Sequence, residues 1–362
     1  MIEDGHGNLL TAEVEALVNT VNTVGVMGKG IALQFKRAFP ANFRAYRSAC
    51  TRGEVRLGQV WTFDNAILGL HRYILNFPTK GHWRGRSRLE DIAAGLDSLV
   101  EVVNERAITS IAIPALGCGN GGLRWSDVRP LIEQAADRMS NVRVVIFPPE
   151  GAPEPAAMPN ATPVAALTPL RAVLLIAIAR YLDRARLQEV REGISELEIQ
   201  KLAYFLQVLG TPLRLAFNRG TYGPYAPSLG HVLDSLEGHY LSGIGDRSAP
   251  VTQFAPINPL PESVEAAETA LRGEDEIVRR VDELLELVES FETPYSLELL
   301  ATVHFASIQA PLTAEPAELA DRVGSWSLRK ARMFTDKHVR VAAARLQEHE
   351  LLPAQQKRAR FP

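Results

Sequence analysis

The chain has little cysteine and no cluster of metal ligands. Cys50 and Cys118 are the two cysteines among 362 residues, which argues against a disulfide framework. Histidine and cysteine do not occur together at the spacing of a metal site, so neither a metal nor another cofactor is expected. The net charge of −3 lacks the positive excess of a general nucleic-acid binder.

Long apolar segments are absent as well. The longest apolar run, residues 172–179, is much shorter than the ~20 residues that cross a bilayer as a helix. The first residues, 1–4, carry neither the basic nor the apolar part of a secretion signal. The sequence therefore predicts a cytoplasmic protein with no membrane partner.

The length of the chain and its 46% hydrophobic content are sufficient for two domains. Strand-like and helical runs alternate over residues 1–150, which predicts an α/β domain with a mixed sheet between helices. Residues 151–168 are rich in proline and alanine and are predicted to form a stiff linker. Residues 169–352 are predicted to form a second, mainly α-helical domain, followed by a basic tail over 353–362.

Individual elements follow from apolar patterning and helix caps. Strands are predicted at 16–19, 60–63, 73–77, 108–113 and 142–147. A capping box is predicted at Ser87 with Glu90, and another at Ser195 with Glu198. Further helices are predicted to begin at Thr168, Ser296 and Thr335, and to cover 227–240 and 264–291.

Two glycine-rich loops, at residues 21–32 and 114–123, are the most distinctive feature of the sequence. Each follows a predicted buried strand and leads into a helical pattern. Such a turn presents backbone N–H groups and a helix N-terminus to an anion. Two of them on one sheet could hold a diphosphate from both sides, which favours a nucleotide-like ligand. The first loop has neither the Gly-x-Gly-x-x-Gly nor the Walker pattern.

The segments 7–10, 16–22 and 28–32, together with the second loop through Trp125, resemble macrodomains, the α/β modules that bind ADP-ribose. Within macrodomains, residues 16–40 and 76–80 are similar to the DarG antitoxins. That family counteracts DarT, a toxin that attaches ADP-ribose to DNA. The resemblance covers roughly residues 1–150, and it implies a macrodomain fold for the first domain.

The resemblance implies an ADP-ribose site in this domain. Asn8 and Leu9 would lie near the adenine, whereas Asn22 and Thr79 would lie near the distal ribose. Backbone N–H groups of both loops would hold the diphosphate. The expected ligand-binding residues are Asn8, Leu9, Asn19, Thr20, Val21, Asn22, Gly28, Lys29, Gly30, Ile31, Ala32, Thr79, Leu116, Gly117, Cys118, Gly119, Asn120 and Gly121.

Lys80 and Asn22 are the expected catalytic residues. The resemblance places the catalytic lysine at Lys80, because the motif 76–80 carries it in DarG-like macrodomains. A lysine of lowered pKa could attack the distal ribose as a nucleophile, or a protonated lysine could assist the leaving base. Lysine-using macrodomains that act on proteins have an aspartate just after Gly-Cys-Gly, where this chain has Asn120. Asn22 with a positioned water is expected to assist instead.

A basic segment around Lys80 predicts contact with single-stranded DNA. Trp83, Arg84, Arg86 and Arg88 are the candidate DNA-contacting residues, because bases stack on aromatic rings while phosphates meet cations. A solvated surface is the alternative interpretation of scattered arginines. Residues 36–56 form a second basic segment.

The second half of the chain predicts a protein partner. The segments 198–207 and 222–226 resemble the SocA-like or Panacea antitoxin domains, which implies binding and neutralisation of the toxin DarT. Residues 262–298 contain twelve acidic and three basic residues, a net charge of −9. This stretch could imitate the charge of DNA, although most acidic helices are simply soluble faces.

The sequence thus predicts a two-domain antitoxin. Its first domain would hydrolyse the bond between ADP-ribose and thymidine in single-stranded DNA and release ADP-ribose, and its second domain would bind DarT. Two alternatives stay open: a non-catalytic ADP-ribose reader, and a hydrolase that acts on modified proteins or small ADP-ribose derivatives.

Overall fold

The chain divides into two compact units. A computed structural model describes residues 1–248, 256–309 and 316–352, and the predicted basic tail lies outside the described residues. The first unit is Met1–Pro163 together with a short segment that begins at Gly245. The second unit comprises Val164–Ile244 and the later part of the chain. Residues 151–163 of the predicted linker therefore cluster with the first unit.

The first unit alternates strands with helices, as the sequence predicts. Its elements are β1 (Ile2–Asp4), β2 (Ala16–Asn22), α1 (Ile31–Ala38), α2 (Pro40–Thr51), β3 (Trp61–Asp64), β4 (Tyr73–Lys80), α3 (Leu89–Glu105), β5 (Ser110–Pro114), α4 (Trp125–Asp137) and β6 (Arg143–Phe147). They form a six-stranded sheet in the order β1-β6-β5-β2-β4-β3. All neighbouring strands run parallel except the β3–β4 pair. The predicted mixed sheet between helices is confirmed.

Alternating residues of the central strands supply a core on each face of the sheet. Val18 of β2 packs with Leu96 of α3 and Ile132 of α4. Leu17, the neighbour of Val18, faces the other side and packs with Phe35 of α1. A strand buried on both faces requires an almost continuous apolar run. Such runs are the reason that β2, β4 and β5 could be predicted from the sequence.

The predicted capping box at Ser87 is wrong. Helix α3 begins at Leu89, and its N-cap is Arg88 with no capping side chain. Ser87 is buried, and its backbone N–H donates to the carbonyl of Gly121 at 3.0 Å. Ser87, which local sequence favours as a helix cap, therefore packs against the second glycine loop and does not cap α3. Among the described residues, the Ser87 hydroxyl has no hydrogen-bond partner.

The second unit is largely helical, with short strand pairs. Its elements are α5 (Pro169–Gln188), α6 (Glu196–Val208), β7 (Asn218–Gly220), β8 (Gly223–Tyr225), α7 (Pro227–Leu236), β9 (Leu241–Ser242), β10 (Asn258–Pro259), α8 (Pro261–Ala270), α9 (Asp275–Leu287), α10 (Pro294–Ile308), α11 (Pro316–Trp326), α12 (Leu328–Met333) and α13 (Asp336–Glu348). The capping box at Ser195 and the helix starts after Thr168 and Thr335 are confirmed.

Three other helix predictions in this unit need correction. Helix α7 ends at Leu236, four residues before the predicted end. The predicted region 264–291 is two helices, with Gly273 between them at φ +85°. Helix α10 begins at Pro294 rather than Ser296, because Thr293 is the N-cap and forms the capping box with Ser296.

A chain of three buried asparagines joins the central strands of the first unit to α2. Asn19 Nδ2 donates to Asn76 Oδ1 at 2.9 Å, and Asn76 Nδ2 donates to Asn42 Oδ1 at 2.8 Å. All three side chains are fully buried. A buried amide is stable only while it is hydrogen-bonded. The network therefore ties β2, which leads into the first glycine loop, and β4, which ends at Lys80, to α2.

Asn76→Ala should therefore destabilise the first unit by about 1–3 kcal/mol, because it leaves polar groups of both neighbours unsatisfied. In calorimetry of the full chain, one unfolding transition should fall by about 2–10 °C. Asn104→Ala, at an exposed position of α3, is the control and should not shift it. Equal midpoints for the two variants would contradict the structural role of the network.

Candidate functional site

The two glycine loops and the end of β4 surround one cleft of about 1140 Å³ in the first unit. Strands β5, β2 and β4 are neighbours and run parallel. Their carboxyl ends therefore meet at one edge of the sheet, the usual position of ligand sites in such sheets. The first loop follows β2, the second follows β5, and Lys80 is the last residue of β4.

Asn22 shapes the first loop. Its Nδ2 donates to the carbonyl of Val26 at 2.6 Å, and its Oδ1 accepts from the N–H groups of Val24 at 3.0 Å and Val26 at 3.3 Å. The Tyr46 hydroxyl donates to the Asn22 carbonyl from α2. Both ends of the carboxamide are thus bonded within the loop that they fold.

Glycine is required at several positions of the two loops. Gly30, the N-cap of α1, has φ +63°, and Gly117 has φ +72°. A Cβ at Gly121 would lie 2.2 Å from Ser87 Oγ and 2.4 Å from the Gly117 carbonyl oxygen. In contrast, a Cβ at Gly119 would meet nothing within 4 Å. Gly119 lines the cleft, so its open side is available to a ligand.

Lys80 connects β4 to the second loop. Its Nζ donates to the carbonyl of Asn120 at 2.9 Å. Asn22 lies opposite Lys80 in the β2–β4 register, after a register shift between Val21 and Asn22. Partial burial disfavours the ammonium form and lowers the pKa of Lys80 below its ordinary value. The amine therefore stands at the strand edge, in contact with the second loop, with a larger neutral fraction than a surface lysine has.

Most of the predicted site residues line this cleft. They are Asn8, Leu9, Thr20, Val21, Asn22, Gly28, Lys29, Gly30, Ile31, Ala32, Thr79, Lys80, Trp83, Arg84, Gly117, Gly119, Asn120 and Gly121. As the first residues of α1, Ile31 and Ala32 have N–H groups without intrahelical acceptors. Asn8 also accepts from the Leu10 N–H and donates to the Ala157 carbonyl.

Five predicted residues are not brought to the cleft. Asn19 belongs to the buried asparagine network, and Leu116 is a fully buried core residue. The Cys118 thiol contacts the Leu116 carbonyl, and desolvation raises its pKa to about 11, so it is protonated at neutral pH. Arg86 and Arg88 are exposed but do not line the cleft, and Arg88 pairs with Glu90 at 3.5 Å.

Trp83 and Arg84 form an exposed rim of the cleft. The Arg84 guanidinium lies 4.4 Å from the centre of the Trp83 ring. The centres of the His82 and Trp83 rings are 5.3 Å apart. Trp83 is 45% exposed. A stacked, exposed indole beside a cation offers a surface for an unpaired base.

Sequence reasoning missed two parts of the cleft. One is the chain after β6, from Phe147 to Pro153, which the carboxyl-edge rule would have indicated. The other is Asp246 with Ser248, which line the same cleft and come from far along the sequence. No local signal indicates them. No group of three or more metal-ligating side chains occurs in the part of the chain that the structure describes.

The acidic stretch of the second unit is less uniform than its sequence suggests. Glu298 is buried and pairs with Lys330 at 2.6 Å and with Arg329. Glu283 pairs with Arg280 at 2.7 Å. Exposed acids of this stretch that have no ion pair among the described residues include Glu265, Glu268 and Glu286. No helix within the described ranges is long and apolar enough to span a membrane.

Comparisons with known proteins show which family the chain belongs to. The Macro domain family matches residues 18–132. A DNA ADP-ribosyl glycohydrolase of Mycobacterium tuberculosis is 43% identical over 96% of this chain and 99% of its own length. One from Thermus aquaticus is 44% identical over 94% of this chain and 92% of its own length. A Thermosipho africanus protein, named as a fusion of a DNA ADP-ribosyl transferase and a DNA ADP-ribosyl glycohydrolase, is 36% identical over 35% of this chain and 36% of its own length.

Near-complete coverage at this identity shows that the chain belongs to the DarG family of DNA ADP-ribosyl glycohydrolases.

Proposed function

We propose that the first unit removes ADP-ribose from thymidine in single-stranded DNA and that Lys80 performs the chemical step. The observation that carries the proposal is the position of Lys80 Nζ, 2.9 Å from the Asn120 carbonyl, in the cleft that both loops line. With the diphosphate on the loops, the distal ribose lies at the strand edge where Lys80 stands. A reader would need the loops but not an amine of lowered pKa at this point.

The proposed reaction uses the neutral amine of Lys80 as a nucleophile. The Nζ lone pair attacks the anomeric carbon of the distal ribose, and the bond to the base nitrogen breaks. The base leaves with the bonding electron pair and takes the proton that the newly formed ammonium group of Lys80 releases. Water then displaces the lysine from the sugar, releasing ADP-ribose and regenerating the amine. The positive charge that develops on the sugar needs no metal ion.

In this proposal Asn22 is a positioning residue. Because its carboxamide is bonded to Val24 and Val26, it has little freedom to hold a water molecule. Its contribution is the shape of the first loop and the alignment of that loop with Lys80.

Lys80→Ala should reduce removal of ADP-ribose from a modified thymidine oligonucleotide by about 10³-fold or more, because the nucleophile is lost. Binding of ADP-ribose, measured by calorimetry, should persist because the loops are unchanged. Lys337→Ala, at an exposed lysine of α13, is the control and should keep the turnover. Near-normal turnover in a folded Lys80→Ala protein would refute the assignment.

The pH dependence of single-turnover rates separates the two roles of Lys80. Its pKa is lowered by burial, so the neutral form gains population at a lower pH than for an exposed lysine. A nucleophilic amine requires a rate that rises with pH and levels off above the lowered pKa. A protonated lysine acting as an acid requires the opposite trend, and that result would transfer the role from nucleophile to acid.

We further propose that Trp83 and Arg84 guide the DNA strand, with Arg86 and Arg88 contributing charge beyond the cleft. Arg84→Ala should weaken hydrolysis of an oligonucleotide and reduce the salt dependence of its binding by about one unit of log–log slope, because one phosphate contact is lost. Arg332→Ala, an exposed arginine of the second unit, is the control. Identical salt dependence in both variants would favour a substrate without a DNA strand.

The second unit is proposed to bind the toxin DarT. The fusion named for the Thermosipho africanus relative joins a transferase to a glycohydrolase in one chain, and the exposed acids suit a DNA-binding partner. Simultaneous reversal of Glu265, Glu268 and Glu286 to Lys should weaken inhibition of the toxin by the full chain and slow association at low salt.

Glu318→Lys, on α11 of the same unit, is the control for that triple variant. Lys80→Ala should still inhibit the toxin, because binding does not need the hydrolase. If the triple charge reversal leaves inhibition of DarT unchanged, the proposal that the second unit binds DarT would stand. Imitation of DNA charge would then be refuted. Loss of toxin binding only when the first unit is altered would overturn the division of labour.

A further inference from the structure

A segment from far along the chain contributes an acidic side chain to the cleft. Asp246 and Ser248 line it together with Gly30 and Gln34. Asp246 is 4% exposed. Neither residue belongs to the macrodomain motif, and Asp246 is 212 residues from Gln34 along the chain.

The contacts of Asp246 are directed at the N-terminus of α1. The Gly30 N–H donates to the Asp246 carbonyl at 2.7 Å. One turn further along α1, Gln34 Nε2 donates to Asp246 Oδ2 at 2.7 Å. The segment is also held by Arg37, whose guanidinium donates to the Gly245 carbonyl at 2.6 Å. Three residues of the same helix therefore hold this segment against the first glycine loop.

Three hydrogen-bond donors surround the Asp246 carboxylate, as they would surround a bound anion. Its Oδ1 accepts from the Ser248 N–H at 2.9 Å and from the Ser248 hydroxyl, and its Oδ2 accepts from Gln34. These donors are all uncharged. The carboxylate lies beside the N-terminus of α1, which is where an anion is stabilised.

We infer that Asp246 is a built-in anion of the ADP-ribose cleft and that it lowers the affinity of the cleft for the diphosphate. Its carbonyl takes the Gly30 N–H, so that donor is lost to a phosphate in this arrangement. Its carboxylate repels a second anion across the partly dehydrated cleft. The N–H groups of Ile31 and Ala32, the next residues of the loop, are left for the diphosphate.

The repulsion weakens the binding of modified DNA and of free ADP-ribose by the same factor, because both carry the diphosphate. Modified DNA has additional contacts through its strand, whereas free ADP-ribose is held by the cleft alone. An internal anion at the diphosphate site therefore favours release of the product over its retention. This inference rests on the proposed ADP-ribose ligand.

The test is calorimetric titration of the full chain with ADP-ribose at low and high salt. Asp246→Asn removes the charge but keeps the carbonyl and a hydrogen-bonding side chain. It should bind ADP-ribose about fivefold more tightly at low salt, and the gain should shrink as salt screens the repulsion. Asp137→Asn, at an exposed position of α4, is the control for loss of one acidic charge and should bind as the unsubstituted chain does.

Asp246→Ser provides a second neutral variant if the asparagine variant does not fold. Unchanged or weaker binding of ADP-ribose by a folded neutral variant would overturn the inference, since weaker binding would make the carboxylate a ligand contact. A gain that is independent of salt would also overturn it. Failure of the unsubstituted chain to bind ADP-ribose would instead refute the proposed function, so the two failures are distinguishable.

Discussion

The parallel pairing of β2 with β4 is the constraint on which the site depends. The strands pair in register from Ala16 with Tyr73 to Val21 with Pro78, and the register then shifts so that Asn22 lies opposite Lys80. Pro78 has no N–H to donate, and proline within sheets is confined to edges and irregular positions of this kind. The irregularity ends the ladder where the first loop leaves the sheet, and it places the catalytic candidate beside that loop.

Buried polar groups then make this edge rigid. The three asparagines join β2 and β4 to α2, and the Asn22 carboxamide folds the loop that follows. The second loop is held from two sides, by Lys80 through the Asn120 carbonyl and by the Ser87 N–H through the Gly121 carbonyl. A cleft that must present backbone N–H groups to a diphosphate gains from such preorganisation, since the donors then need little reordering when ligand binds.

Charge is distributed in opposite ways in the two units. In the first unit the cleft carries a lysine of lowered pKa, a cationic and aromatic rim, and one internal carboxylate at Asp246. In the second unit several exposed acids lie on α8 and α9, whereas the buried Glu298 is paired with Lys330. Paired buried charges hold a fold together, and unpaired exposed ones are available to a partner, so the net charge of a segment is a poor guide to its surface.

The sequence alone determined the fold class, the family and most of the cleft. Continuous apolar runs identified the central strands. The two glycine loops were recognisable because helix N-termini and positive φ angles require glycine locally. Tertiary structure decided the rest. Ser87 is a cap by local rules, yet it docks on the second loop. Asn19 and Cys118 are predicted from the sequence to bind the ligand, yet their side chains pack away from the cleft. Asp246 joins α1 across 212 residues, and because local pattern reports only on neighbours along the chain, such a contact becomes visible only when the chain is folded.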